Sequence, residues 1–523
     1  MNTVSEFTRE AVTSYLRTVV LVDDNIFRQP TVAPTTTEIV PPRPARKTAF
    51  KAAAAPSKKT VSPSRVPDEP IFLPHHLVAS FAKKKIVCSL YQPANRSVSV
   101  GITSDIFHIC SSADIVILDY DLFGDGGTKA LGLINNLVSD SMQEIPEQGR
   151  LILVYTLDPN LTQVSNQILA SVDSIPGVSA VPEDPLGLVL SARHCRISIL
   201  GKPNHRLPQF VPYTIPEQDL AARAIQEFSA MAPGLLQACV LLGLAKVREK
   251  SRTMLARFDS SLDAAFIQHN SLARSEGAFE NALPLVMAEL QSVLEDRLQS
   301  PLIPAAVLDD WVANVWSPSA HIVGSRGIAA TRAQAKILCR DGHEATGLTI
   351  SNAERLKFFS SSSTSTENDE FALLMSTRGE YAQKRKQLQL GTIATFPNGL
   401  HYVCLQPVCD SVRLSGRVPF LFVQLSQLKQ SKNARVVIRV DDAYLELSVE
   451  TKIASAALVS FAASGGIVAS SNTAPHEFCD CDGKKYLWNS QLKWAHAQRI
   501  VEQFASELSR VGLTESEWLR LKR

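Results

Sequence analysis

The sequence predicts an α/β fold, a doubly wound five-stranded parallel sheet, followed by a helical region and a mixed α+β C-terminal domain. Three observations carry this expectation. Five short apolar runs in the first 200 residues alternate with helical patterns, which implies parallel strands joined by crossover helices. After about residue 216 the apolar residues recur three and four apart over long stretches, the period of amphipathic helices. From residue 390, short strand-like runs return. A chain of 523 residues is also too long for one ordinary core, and the pattern divides it at 1–212, 213–300, 301–389 and 390–523.

The first part supplies the strands TVVLV (18–22), KIVCSLY (85–91), DIVILD (114–119), RLILVYT (150–156) and RISIL (196–200). Nearly continuous apolar runs of this length read as strands buried on both faces. Residues 71–83, 102–112, 127–139 and 161–173 read as the helices between them, the third through Ala130, Leu131, Leu133, Ile134 and Leu137. Residues 30–70 are rich in Pro, Ala, Ser and Thr without apolar periodicity, so they read as a disordered insertion. Its seven basic residues from Arg43 to Arg65 include no acid between them. A solvated linker is preferred there over a nucleic-acid tether, because no aromatic side chains interleave the charges.

In the helical region, Met254, Leu255, Phe258, Leu262, Ala265 and Phe266 share one helical face, as do Phe279, Leu283, Val286, Met287, Leu290, Val293 and Leu294. Both stripes read as bundle core rather than a cofactor box. SSSSTST (360–366) marks a loop before a helix at ENDEFALLM. TIATF, HYVCLQPV, VPFLFVQL, ARVVIRV and AYLELSVE read as strands, with a closing helix near 490–510. Thr514 and Glu517 have the spacing of a capping box for a last helix.

Composition excludes more than it names. The balance of 53 basic and 51 acidic residues implies no charged partner. Nine scattered cysteines fit a reducing compartment. No secretory signal pattern opens the chain, and the apolar run at 231–245 is too short to span a bilayer. These features predict a cytoplasmic protein without a membrane segment.

Ligands of open parallel sheets bind beyond the carboxyl ends of the strands. The residues collected there are Asp23 and Asp24 after the first strand, Asp119 after the third, Thr156 after the fourth and Lys202 after the fifth. Three clustered carboxylates call for a cation, and an all-oxygen donor set suits Mg²⁺. A carboxylate beside such an ion can attack a phosphoryl group. Lys202 and Thr156 would then serve the phosphoryl oxygens.

The order LVDDN, VILDYD, Gly127, LVYT and LGKPN resembles the response-regulator receiver domain of two-component signalling over residues 15–210. The resemblance implies a flavodoxin-like fold, a phosphorylated Asp119 and Mg²⁺ held by Asp24, by Asp23 through water and by the Asp121 carbonyl. It also implies a cis candidate at Lys202–Pro203 and a sensor histidine kinase as phosphodonor. Two positions depart from the pattern. Phe123 stands where receivers carry proline, and Ile199 stands where they carry an aromatic residue. The insertion explains the long spacing from Asp24 to Asp119, and residues 174–194 account for that from Thr156 to Lys202.

The basic insertion, HYVCLQPVCDSVRL and SRVGLTESEWLRLKR are further similar to bacterial response receiver proteins. Some of these belong to antiphage systems such as Detocs, in which a receiver can act as a phosphate sink beside a kinase and an effector. The expected role is thus a phosphoacceptor rather than an enzyme, at most catalysing its own phosphorylation and dephosphorylation. Two alternatives stay open: an unphosphorylated interaction scaffold and a DNA-binding regulator. The second is disfavoured because Glu515 and Glu517 open its last helix and would repel phosphates. His269 as a phosphotransfer residue, and Cys404, Cys409, Cys479 and Cys481 with His476 as a zinc site, are weaker readings than structural roles. The cysteines in particular read as buried small hydrophobes.

Overall fold

A computed structural model of the chain describes residues 3–27, 73–143, 149–204, 206–272, 282–295, 302–316, 331–342, 344–346, 366–381, 385–427, 435–509 and 518. The chain divides into two units, Ser5–Ala245 and a second formed mainly by Lys246–Arg523. The insertion at 30–70, the serine-rich loop and the Thr514–Glu517 capping box lie outside the described residues or almost entirely so.

The N-terminal unit opens with α1 (Val4–Tyr15) and continues through β1 (Thr18–Val22), α2 (Pro74–Ala82), β2 (Val87–Tyr91) and α3 (Asp105–Ser112). It proceeds through β3 (Ile115–Leu118), α4 (Thr128–Gln143), β4 (Arg150–Thr156) and α5 (Leu161–Asp173). A hairpin of β5 (Ala180–Pro182) and β6 (Val189–Ala192) precedes β7 (Cys195–Gly201) and α6 (Leu220–Met231), and α7 (Leu235–Arg257) begins in this unit and runs on into the second. The sheet order is β2-β1-β3-β4-β7-β6-β5, parallel from β2 to β7 and antiparallel beyond.

The five expected strands are therefore the parallel part of a seven-stranded sheet. Residues 174–194 contribute two further strands because Val189, Leu190 and Ala192 become buried where β6 pairs with β7. A second correction concerns β2, expected to be buried on both faces. It is the sheet edge, and Val87 is 68% exposed.

Alternate strand residues enter two cores, as a pleated sheet requires. Val20, Val22, Val116, Leu118, Ile152 and Val154 pack against α3, α4 and α5. Val19, Leu21, Ile115, Ile117, Leu151 and Leu153 pack on the other face with residues of α1, α2 and α6.

The second unit contains α8 (Asp263–Leu272), α9 (Ala282–Glu295), α10 (Ala305–Asp310), α11 (Arg332–Asp341) and α12 (Thr366–Ser376). Its strands are β8 (Thr392–Thr395), β9 (His401–Cys404), β10 (Arg417–Ser426), β11 (Arg435–Val440) and β12 (Ala443–Val449). They continue with β13 (Ala456–Ala462), β14 (Glu477–Cys479) and β15 (Lys485–Gln491), followed by α13 (Trp494–Leu508). The sheet runs β11-β12-β10-β9-β8-β15-β14, with β13 paired to β10. One face packs Ala497, Ile500 and Phe504 of α13, while the other carries an aromatic core of Phe420, Phe422, Phe461, Phe478 and Tyr486.

The first helical stripe is broken: α7 ends at Arg257, and Leu262 sits in a short 3-10 turn before α8, so Met254 and Phe266 lie on different helices. Of the second stripe, Phe279 lies outside the described residues and the rest lies on α9. The bundle core expected of both is not found among the described residues. Leu255, Leu262, Leu283 and Met287 are all exposed, since no described element covers their apolar faces. No helix of the described residues is long and apolar enough to cross a membrane.

Candidate functional site

Register brings the strand ends together. Val22 pairs with Leu118, so Asp23 and Asp119 leave neighbouring strands at the same level. Thr156 pairs with Gly201, which puts it beside Lys202. Backbone bonds fix the exits: Asp119 N donates to Val22 O at 2.9 Å, and Lys202 N donates to Thr156 O at 2.8 Å.

Lys202 Nζ lies 2.6 Å from Asp23 Oδ2 and 2.7 Å from Asp119 Oδ2. All three side chains are buried, so the ammonium bridges two carboxylates largely screened from water. Asp24 is half-buried, and its Oδ2 accepts the Phe123 N–H at 2.9 Å. One oxygen from each of Asp23, Asp24 and Asp119 lies within 4.8 Å of the others.

One ammonium does not neutralise three carboxylates. Burial pushes the Asp119 carboxyl up to about 7, with Lys202 pulling it down and Asp23 pushing it further up. Burial also raises Asp24, against the Phe123 hydrogen bond and with help from Asp23. For Lys202, burial works against the charge, but Asp119 and Asp23 outweigh it and raise its pKa. A divalent cation among these oxygens would relieve the excess negative charge. The donor set therefore fits Mg²⁺, a hard ion that prefers oxygen.

The remaining predicted residues are less uniformly placed. Thr156 is buried at the end of β4, and its Oγ1 accepts the Asp158 N–H at 3.1 Å, leaving its own proton to donate. The Asp121 side chain is exposed and stands outside the acidic cluster, where its Oδ1 accepts the Gly126 N–H at 2.8 Å. Gly127 is required where it stands. Its φ is +90°, and a Cβ there would fall 2.2 Å from the buried Tyr120 ring. The Lys202–Pro203 peptide is trans, the ordinary state of such bonds; the cis peptide among the described residues is Ala474–Pro475.

Phe123 adopts φ +62°. Its N–H bond to Asp24 is one that the usual proline could not make. Ile199 is buried in the aliphatic core. Arg206 was not among the predicted site residues, although its guanidinium donates to carbonyls at the end of β4. Its signal in the sequence was a charged residue four places after the strand-end lysine.

A cleft of about 600 Å³ in this unit lies elsewhere, near Gly149 and Cys195 at the opening ends of β4 and β7. It includes none of the acidic residues. His269 lies on α8. Among the described residues the four cysteines form no ligand set with His476. Cys404 is buried as expected, whereas Cys409, Cys479 and Cys481 are exposed, because they sit in a turn segment and a peripheral hairpin.

Residues 15–207 match the family model described as the response receiver domain. No curated protein and no solved structure matched the chain. With the acidic cluster and its lysine at the ends of parallel strands, residues 15–207 form a divergent response receiver domain.

Proposed function

We propose that this protein accepts a phosphoryl group on Asp119 within a two-component-like relay. The observation that carries the reading is the buried Lys202 ammonium held between Asp23 and Asp119, with Asp24 close enough to share a cation. A sensor histidine kinase is the proposed donor. An Asp119 carboxylate oxygen attacks phosphorus, the phosphorus–nitrogen bond of the phosphohistidine breaks, and the leaving imidazole takes a proton. Lys202 then pairs with a phosphoryl oxygen, and the Thr156 hydroxyl donates to another.

Asp23, Asp24, Asp119 and the Asp121 carbonyl are the proposed Mg²⁺ ligands. The ion would supply charge screening between the two anions. The protein would act in the cytoplasm as a response regulator or phosphate sink, with antiphage defence as the proposed setting. Its second unit would engage an effector. No separate enzymatic output is proposed beyond its own phosphorylation and dephosphorylation.

Incubation with acetyl phosphate and Mg²⁺, followed by intact mass, tests the reading. A gain of roughly 80 Da, absent from Asp119→Asn, is expected for one phosphoryl group. A wild-type protein that gains no mass and binds no Mg²⁺ would instead be an interaction scaffold. Retention on DNA at moderate salt would favour a DNA-binding regulator.

A further inference from the structure

Arg206 folds back over the ends of β4 and β7. Its Nη2 donates to the Thr156 carbonyl at 2.6 Å and its Nη1 donates to the Asp158 carbonyl. Nε and Nη2 each lie 3.5 Å from the Lys202 carbonyl. One guanidinium therefore spans three carbonyls on the two loops that carry Thr156 and Lys202. The same Thr156 carbonyl also accepts the Lys202 N–H, and the Thr156 hydroxyl accepts the Asp158 N–H. These bonds make a single small network.

Gly201 provides the room. A Cβ on it would fall 2.5 Å from Arg206 Nε and 2.7 Å from Cζ. The planar fork of arginine can hold several carbonyls at fixed angles, which a lysine ammonium cannot reproduce.

Resting on the reading of Asp119 as the acceptor, we propose that Arg206 is a positioning residue that locks the Thr156 loop to the Lys202 loop. The two donors aimed at the phosphoryl oxygens thereby move as one unit.

Amide hydrogen exchange on the metal-free full chain tests the lock without a phosphodonor. In Arg206→Ala, the Asp158 and Lys202 amides should exchange at least about tenfold faster, while those of β1 and β3 are unchanged. Gly201→Ala keeps the arginine but displaces it, and should act alike; Arg206→Lys should fall between. The second measurement is the rate of acetyl-phosphate-driven mass gain at saturating Mg²⁺. Arg206→Ala should slow it by about tenfold, but by less than about twofold when Thr156→Ala is already present.

A merely structural role would produce equal losses in both backgrounds. Equal losses, or unchanged exchange in both Arg206→Ala and Gly201→Ala, overturn the proposal. A wild-type chain that takes up no phosphoryl group would instead defeat the assignment of Asp119, and the exchange data would still decide the role of Arg206.

Discussion

Replacing Lys202 by alanine in the metal-free protein probes the buried charge cluster most directly. The change leaves Asp23 and Asp119, with side chains 1% and 11% exposed, facing each other without their shared ammonium. Removing one partner of a buried pair costs about 3–5 kcal/mol. Loss of one cation from two acids favours the upper end. Proton uptake favours the lower end, because burial already holds the Asp119 carboxyl near 7 and Lys202 is what draws it down.

The expected loss is therefore about 3 kcal/mol at neutral pH. For a unit of this size each kcal/mol moves the midpoint by about 2–4 °C, so the N-terminal unit should melt about 6–12 °C lower. Calorimetry in the presence of a chelator measures this. Adding Asp119→Asn should restore at least half of the loss, since the neutral amide needs neither a cation nor the proton that the buried carboxyl must take up once Lys202 is gone. Mg²⁺ should narrow the gap by the same logic. A loss below about 1 kcal/mol, or one untouched by the second substitution, would refute the electrostatic account.

Other perturbations test separate parts of the site. The Asp119 carboxyl is raised from its ordinary 3.8 to about 7, so the folded metal-free protein binds that proton more tightly than the unfolded chain. Stability from this source is present in full below about 4 and lost as pH rises towards 7; Asp119→Asn should flatten that slope in urea titrations, and an unchanged slope would assign it to other groups. Phe123→Pro removes the N–H that Asp24 accepts and cannot adopt φ +62°. It should weaken Mg²⁺ binding by about tenfold in calorimetric titration, whereas Phe123→Gly should stay near wild type; equal weakening would show that the ring matters instead. Gly127→Ala should destabilise by about 2–4 kcal/mol through ring displacement and a strained φ. A shift in the urea midpoint equivalent to less than 1 kcal/mol would contradict the packing of Tyr120 against that glycine.

Much of the receiver was legible in the sequence because inner parallel strands must be apolar on both faces. That requirement writes TVVLV, IVIL and RLILVYT as runs that few other structures need. Once those strands are parallel, their carboxyl ends lie together, so Asp23, Asp24, Asp119, Thr156 and Lys202 could be collected without coordinates. The edge position of β2 and the short β5–β6 hairpin were not legible, because pairing partners rather than local pattern decide burial there. Helical spacing likewise pointed to helices at 254–266 and 279–294, but it did not show the break between Arg257 and Asp263, nor what would cover the apolar faces. The strands β13, β14 and β15 were unread for the same reason: long-range pairing defines them.

The sequence by itself determined which chemical groups end each strand and therefore the kind of site the sheet could build. Only the tertiary structure decided that Phe123 would offer its backbone N–H to Asp24 and that Arg206 would return to hold the Thr156 carbonyl. Strand-end chemistry is legible because residue order and strand direction set it. Hydrogen bonds between distant loops depend on φ, on vacancies such as the one at Gly201 and on register, none of which a linear pattern records.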